Sequence, residues 1–395
     1  MDHNSCYLYL GDKQYMNFID TFLDDAEQNS SKRILRNINP ISSRECEING
    51  EKYINFSSND YLGLSQHSAL IAESIQWTKQ FGSGSAASRL VTGTTAEVAE
   101  LETKIAKWKN KEAALIFGSG YMTNSGVIPA ISDKSTAIFA DKLNHASLNA
   151  GCQLSSGKLY RYKHNDMTAL ENLLIKHQDV ERKIIISDTI FSMDGDIAKI
   201  ADFANLAKKY DALLYLDDAH GTGVFGEFGE GLTQNCDIAM GTFSKAMGGY
   251  GAYIACSAKM KEYLINKCGS FIYTTAMSPA NYGAISAAVD LVQSTEYCGI
   301  RKKYQNSFQY LKNEIKEMGY DVGETNSGII PIILKSSEKV LEFSKKLLDA
   351  GLLCVAIRPP TVPQNSARIR ITLNATHTEK DIKKLLTTLK LLKDL

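Results

Sequence analysis

The sequence carries no net charge. Its 44 basic residues balance 44 acidic ones, so no global field favours nucleic acid or a membrane surface, and specificity has to come from a local site. It also lacks any CxxC pair. Eight cysteines (Cys6, Cys46, Cys152, Cys236, Cys256, Cys268, Cys298 and Cys354) are scattered along the chain, a distribution that argues against a zinc knuckle or a disulfide framework and predicts reduced thiols and no metal site. No apolar run reaches the roughly 20 residues of a membrane span. The leading MDHNSCYLYLGDK has no basic region followed by an apolar stretch, so a cytoplasmic protein is the expectation. Internal repeats and low-complexity segments are absent.

What is present is a globular composition, 44% hydrophobic and 22% charged over 395 residues. That length exceeds one ordinary core and predicts domains that share an interface. Residues 1–52 are polar and weakly patterned, with a helix expected over Met16–Ile38, and read as an N-terminal arm. From 53 to about 290, short β-rich runs (Ala113–Phe117, Thr136–Ala140, Lys183–Asp188, Ala212–Asp217, Asp237–Gly241, Gly251–Cys256) alternate with helical stretches such as Leu170–Lys176 and Ile200–Tyr210. This alternation predicts an α/β fold with a largely parallel sheet and helices on both faces. A long helical stretch around Ala280–Met318 follows. Residues 291–395 then supply the strand SGIIPIIL, a helix over Lys339–Ala350, the strand ARIRITL and a last helix over Thr378–Leu392, a smaller α+β domain.

Several runs are apolar on consecutive residues and end in polar or ionisable ones, as in ALLYLDDAHGTG. In open α/β sheets, ligands bind at those carboxyl ends. GTGVFG (Gly221, Gly223, Gly226) matches the G-x-G-x-x-G dinucleotide fingerprint, but EFGEGLTQNC cannot open the required helix and no acid lies between Asp237 and Glu262. The context fails.

Asp217 ends the apolar run LLYL, where an ionised carboxylate needs a facing cation or strong donor. A protonated ring nitrogen would serve. His220 follows in the next turn, either near the same ligand or as a satisfied structural histidine. In GTFSKAMGGYG, Lys245 sits between a strand end and a glycine cluster. It is either a solvated loop lysine or an amine made nucleophilic by desolvation. IFGSGYMTNSGVI sets Gly118, Ser119 and Gly120 before a helix from Tyr121, whose first amides form a phosphate cup unless the turn is an ordinary one. Thr242 could add a hydroxyl. His145 in NHASL and Ser192 in FSMDGD also follow strand ends. Arg358, held by the prolines of AIRPPTVP, suits bidentate carboxylate recognition or a surface ion pair.

Taken together and in order, SGY, NHASL, FSMDGD, DDAHGTGVFGEFG, TFSKAMGG and RPPTVP resemble the α-oxoamine synthase family of fold-type I pyridoxal phosphate enzymes, from about Arg33 to Leu392. The resemblance implies a fold-type I transferase with a seven-stranded-type sheet, pyridoxal 5'-phosphate as cofactor and Lys245 as the Schiff-base lysine. It implies Asp217 on the pyridine nitrogen, His145 stacked on the ring, and His220 and Ser192 at the phenolic oxygen. Gly120, Tyr121 and Thr242 would serve the phosphate, and Thr274 or Thr275 would reach the partner's phosphate in a homodimer. Arg33 and Thr361 match substrate-contacting positions, with Arg36 close to Arg33 in the run KRILRNI. Asn59 and Arg358 are implied holders of the amino acid carboxylate. SSNDYLGL and AIRPPTVPQNSARIRITLNATHT stand closest to the biotin-pathway member, which implies L-alanine and a pimeloyl thioester of coenzyme A or acyl-carrier protein as substrates. Members that use glycine or serine are the near alternatives. An inactive interaction subunit is the distant one. One departure from the family is Asn365, where glycine is usual; asparagine tolerates the left-handed backbone.

Overall fold

A computed structural model of the chain describes residues 14–29 and 31–393; Cys6 lies outside them. Seven strands build the main sheet: β1 (Ala113–Phe117), β2 (Thr136–Asp141), β3 (Lys158–Tyr162), β4 (Arg182–Asp188), β5 (Leu213–Asp217), β6 (Ile238–Thr242) and β7 (Ala252–Cys256). Their spatial order is β1-β7-β6-β5-β4-β2-β3. Strands β2 to β6 run parallel, and β7 is antiparallel to both β6 and β1. Strand β3 has no counterpart among the expected runs. It is a part-exposed edge strand, KLYRY, that buries only Tyr162 fully, so it lacks the apolar signal of its neighbours.

The central strands are apolar on consecutive residues because helices cover both faces. Ile185, Leu214 and Leu216 enter one buried cluster, while Ile184, Ile186 and Tyr215 enter the other. Alternate side chains of the same strands thus feed two cores. Helix α1 (Gly120–Ala130) follows β1 and α2 (Ala146–Leu154) follows β2. After β5, the glycine-rich segment forms turns rather than a helix, with Gly223 and Gly226 both at φ +84°, so the nucleotide fingerprint lacks its structural setting.

The N-terminal helix spans Gln14–Gln28 and does not continue to Ile38. At its end the Asp25 carbonyl accepts from both the amide and the side chain of Asn29, and the Ala26 carbonyl from the amides of Ser31 and Lys32 and the Ser31 hydroxyl. Strands Glu45–Ile48 and Glu51–Asn55 form an antiparallel hairpin that spans residue 52, and Ile54 and Asn55 pair in parallel with Leu352 and Leu353. The long helical stretch is two helices, Pro279–Gln293 and Thr295–Glu317, broken at Ser294. Ser294 donates its amide to the Leu291 carbonyl and caps the second helix through its hydroxyl. The C-terminal strands β8 (Ile329–Lys335), β9 (Val355–Ile357) and β10 (Ala367–Thr372) form an antiparallel sheet in the order β8-β10-β9. Asn365, in the turn before β10, has φ +58°, the left-handed conformation that its substitution for glycine requires.

Gly248 joins the Lys245 turn to the N-terminal region. It has φ +63°, and an added Cβ would sit 2.5 Å from the Ser65 amide nitrogen and closer still to the Leu64 carbonyl carbon. Both neighbours are backbone and cannot rotate away. Gly248→Ala is expected to cost about 2 kcal/mol or more, read as a lower urea midpoint of the purified protein.

Candidate active site

The parallel strands end in polar residues on one edge of the sheet: Asp141 on β2, Asp188 on β4, Asp217 on β5 and Thr242 on β6. Register sets Asp188 directly beside Asp217, both buried. Burial and the Asp217 charge push the Asp188 carboxyl well above the usual carboxylate range. Asp217 Oδ2 accepts from Asn124 Nδ2 at 2.7 Å and Oδ1 from the Ala219 amide at 2.9 Å. Asn124 lies on α1, is fully buried, and is fixed by Tyr215, whose hydroxyl donates to its Oδ1 at 2.7 Å. Among the described residues no Lys, Arg or His forms an ion pair with Asp217.

Lys245 lies in the turn after β6, its Nζ 2.9 Å from His220 Nε2. Burial holds the amine down to about 8, although the Asp217 and Asp188 carboxylates pull the other way. His220 is held well below the usual histidine range by burial, then by Lys245, Arg370 and His145. The ring is neutral at physiological pH. His145 caps α2, with Nδ1 2.7 Å from the Ser147 hydroxyl, while the Ser147 hydroxyl also accepts from Asn124. His145 is an exposed residue at the start of α2, and burial of its ring lowers its pKa from the usual histidine value.

Strand β1 delivers Gly118, Ser119 and Gly120 to the start of α1, where the Ser119 hydroxyl accepts from the Met122 amide at 3.2 Å. The first amides of such a helix have no intrahelical partner. Gly120 packs so closely on β6 that a Cβ would meet Met240 Cε at 2.9 Å. Tyr121 is exposed. The Thr242 hydroxyl donates to the Gly251 carbonyl at 2.9 Å and lies 2.7 Å from that of Ser244, which is the exposed hydroxyl of this turn. Thr274 and Thr275 line a small hollow with Gly118 and Met122, and Thr275 bridges to Ser88.

Three groups at the centre come from residues that sequence reasoning did not single out. Arg370 on β10 donates from Nε to the Ser192 carbonyl at 2.6 Å, from Nη1 to the Thr372 hydroxyl at 2.9 Å and from Nη2 to Asn59 Oδ1 at 3.0 Å. It is buried and, among the described residues, has no carboxylate partner. Two arginines on one face of the otherwise apolar strand ARIRIT were the available signal. The Tyr61 hydroxyl lies 2.5 Å from His220 Nδ1, and Asn124 is an amide buried in an apolar helix. Arg358 lies elsewhere, with Arg33 and Thr361, along a cleft of about 970 Å³ whose lining also includes Lys32, Arg36 and Lys345. There the Arg33 Nη2 is 3.3 Å from the Thr361 hydroxyl.

A carboxylate awaiting a cation, a depressed lysine and an arginine awaiting an anion converge at one sheet edge. The chain belongs to the aminotransferase class I and II family, whose model matches residues 51–389. More narrowly, it is 41% identical over 368 residues to the 8-amino-7-oxononanoate synthase of Geobacter sulfurreducens, covering 92% of this chain and 94% of that one. It is 42% identical over 371 residues to that of Pelobacter propionicus, covering 92% and 95%. Among solved structures, one of SPT with PLP internal aldimine matches with a TM-score of 0.90 at 25% identity, covering 97% of this chain and 99% of that chain. The resemblance to the α-oxoamine synthases and the α/β fold expected from it therefore hold.

His164 frames the loops that carry His145 and Ser192. Its Nδ1 is 3.1 Å from Asp141 and its Nε2 2.9 Å from Asp196. The two carboxylates outweigh burial and raise it from 6.5 to about 10. Because the folded value lies above the unfolded one, this stabilisation is complete below about pH 6.5 and is lost as pH rises through about 10. His164→Gln should therefore lower the unfolding free energy by roughly 2–4 kcal/mol at pH 6, and the gap between the proteins should shrink steadily by pH 10.

Proposed function

We propose that this protein condenses L-alanine with a pimeloyl thioester, with loss of carbon dioxide, to give 8-amino-7-oxononanoate for biotin biosynthesis, using pyridoxal 5'-phosphate. The observation that carries the reading is the buried Asp217 carboxylate, without an ion-pair partner among the described residues, set beside a lysine whose amine is held down to about 8. The residues fit the cofactor. Asp217 offers its charge to a ring N–H, the amides of Gly120 and Tyr121 with Ser244 and Thr242 offer a phosphate cradle, and His145 offers a ring face. Ser192 and His220 stand on the phenolic side, and Thr274 or Thr275 would serve the partner subunit's phosphate.

Bound there, the cofactor supplies an electron sink that acidifies the Cα proton of a linked amino acid. Asp217 holds the proton on the ring nitrogen, which maintains that sink. Lys245, freed when alanine takes its place, removes the Cα proton through Nζ; with its amine near 8, an appreciable share is unprotonated at pH 7.5. The Arg370 guanidinium, already oriented by Ser192 and Asn59, orients the alanine carboxylate. The cleft with Arg33, Arg358 and Thr361 receives the acyl donor, as the coenzyme A or acyl-carrier thioester. The working unit in this reading is a cytoplasmic homodimer. In support, Leu90, Val91 and Tyr273 are strongly exposed close to the bridge between Ser88 and Thr275, an apolar patch suited to a partner.

A serine-using reading draws on the match to SPT, but the relatives at 41–42% identity carry the alanine reading. Mass spectrometry of product from the cofactor-loaded protein with pimeloyl-CoA and L-alanine, glycine or L-serine separates them, and amino-oxononanoate from alanine alone is expected. Lys245→Ala should abolish it and Asp217→Asn should lower the rate at least about 100-fold. Arg370→Ala should raise the KM for alanine about tenfold or more, with a smaller effect from Arg358→Ala. Near-normal turnover by the lysine or aspartate variant would defeat the assignment, and the reverse order of the two arginine effects would return the carboxylate to Arg358.

A further inference from the structure

The hydrogen bonds around Lys245 continue beyond His220. His220 Nε2 faces Lys245 Nζ at 2.9 Å, and its other ring nitrogen, Nδ1, lies 2.5 Å from the Tyr61 hydroxyl. The phenol is 2% exposed and has one proton to give. It has two acceptors in reach, His220 Nδ1 at 2.5 Å and Asn59 Oδ1 at 3.3 Å. The contact to His220 is much the shorter, and Asn59 Oδ1 also accepts from Arg370 Nη2 at 3.0 Å. The Arg370 guanidinium also acts on the phenol as a nearby cation. A cation beside that oxygen makes the phenol a stronger proton donor to its nearer acceptor, His220 Nδ1. The neutral imidazole has one N–H and one bare nitrogen. With Nδ1 accepting from Tyr61, the N–H is on Nε2. The charged and titratable groups that face this pair are Asp217 at the end of β5, Asp188 at the end of β4, His145 at the start of α2 and Arg370 on β10.

We propose that Tyr61 is a positioning residue whose hydroxyl fixes His220 in the Nε2–H tautomer, so that the imidazole presents a donor, and not a lone pair, to Lys245 Nζ and to the group linked there. In the opposite tautomer, Nε2 would accept from Lys245 and stabilise its ammonium form. Tyr61 thereby keeps the lysine available as an amine. The catalytic meaning of this arrangement rests on the function proposed above, while the tautomer is a property of the protein alone.

The test uses the holoenzyme labelled with ¹⁵N-histidine, with the His220 signals identified from the His220→Gln variant. In the wild type, Nε2 should carry the proton and Nδ1 should give the bare-nitrogen signal. A bare Nε2 in the wild type overturns the proposal before any Tyr61 variant is made. Tyr61→Phe keeps the ring and removes the hydroxyl, and should move His220 toward the Nδ1–H form. A Tyr61→Phe protein with lower thermal stability but an unchanged tautomer also overturns it. As a second readout, Tyr61→Phe should lower kcat for alanine roughly tenfold or more with little change in KM. Because Tyr61 acts through His220, adding Tyr61→Phe to His220→Gln should cost less than threefold further; losses that multiply in full overturn the proposal. If alanine and pimeloyl-CoA give no product while the tautomer still depends on Tyr61, the functional reading falls and this inference stands.

Discussion

Two carboxylates side by side at the edge of a sheet, out of water, set the terms for everything around them. Register places Asp188 next to Asp217, and neither belongs in a buried position unless something compensates. The fold responds in three ways. Asp188 has its carboxyl pushed well above the usual range and takes the His145 amide as a donor at 2.7 Å. Asp217 is braced by Asn124 and the Ala219 amide. Lys245 is close enough for both acids to act on it, which limits how far burial can depress its amine. The result is a site with charge held in reserve, ready for a cationic ring and a nucleophilic amine together.

The sheet was legible in the sequence because its central strands are apolar on consecutive residues, as expected where both faces are covered. The edge strand KLYRY was not legible, since half exposure removes that signal. Within the site, Lys245, Asp217, His145 and His220 could be found because each follows an apolar run that ends abruptly. Arg370 is the opposite case. It sits inside a strand, where an arginine reads as a surface residue or an edge, and only the approach of the Ser192 loop makes it a central group. Tyr61 and Asn124 were hidden for a related reason, because a buried phenol or amide looks like core until its partner is known.

The site also depends on which parts of the chain meet. Lys245, Asp217 and His220 come from the main sheet, whereas Asn59 and Tyr61 come from near the start and Arg370 from near the end. The loop that carries Ser192 is gripped from the C-terminal side by Arg370 and by Arg368, which pairs with Asp194. Thr325 and Ser327 donate to the Gly195 carbonyl. The smaller C-terminal sheet therefore forms part of the floor of the site, and its placement fixes the loop that carries Ser192.

The pairing of Ile54 and Asn55 with Leu352 and Leu353 joins residues almost 300 positions apart. During synthesis at about 5–20 residues per second, the early strand waits roughly 15–60 s for its partner to leave the ribosome. Throughout that interval one edge of the hairpin is an unpaired template, the kind of surface on which nascent chains associate wrongly. Arg370 leaves the ribosome later still, so its contact with Asn59, beside Tyr61 and His220, forms only after that partner strand has emerged. A chain stalled before residue 370 carries Lys245 and Asp217 but lacks the arginine that ties the Ser192 loop to Asn59.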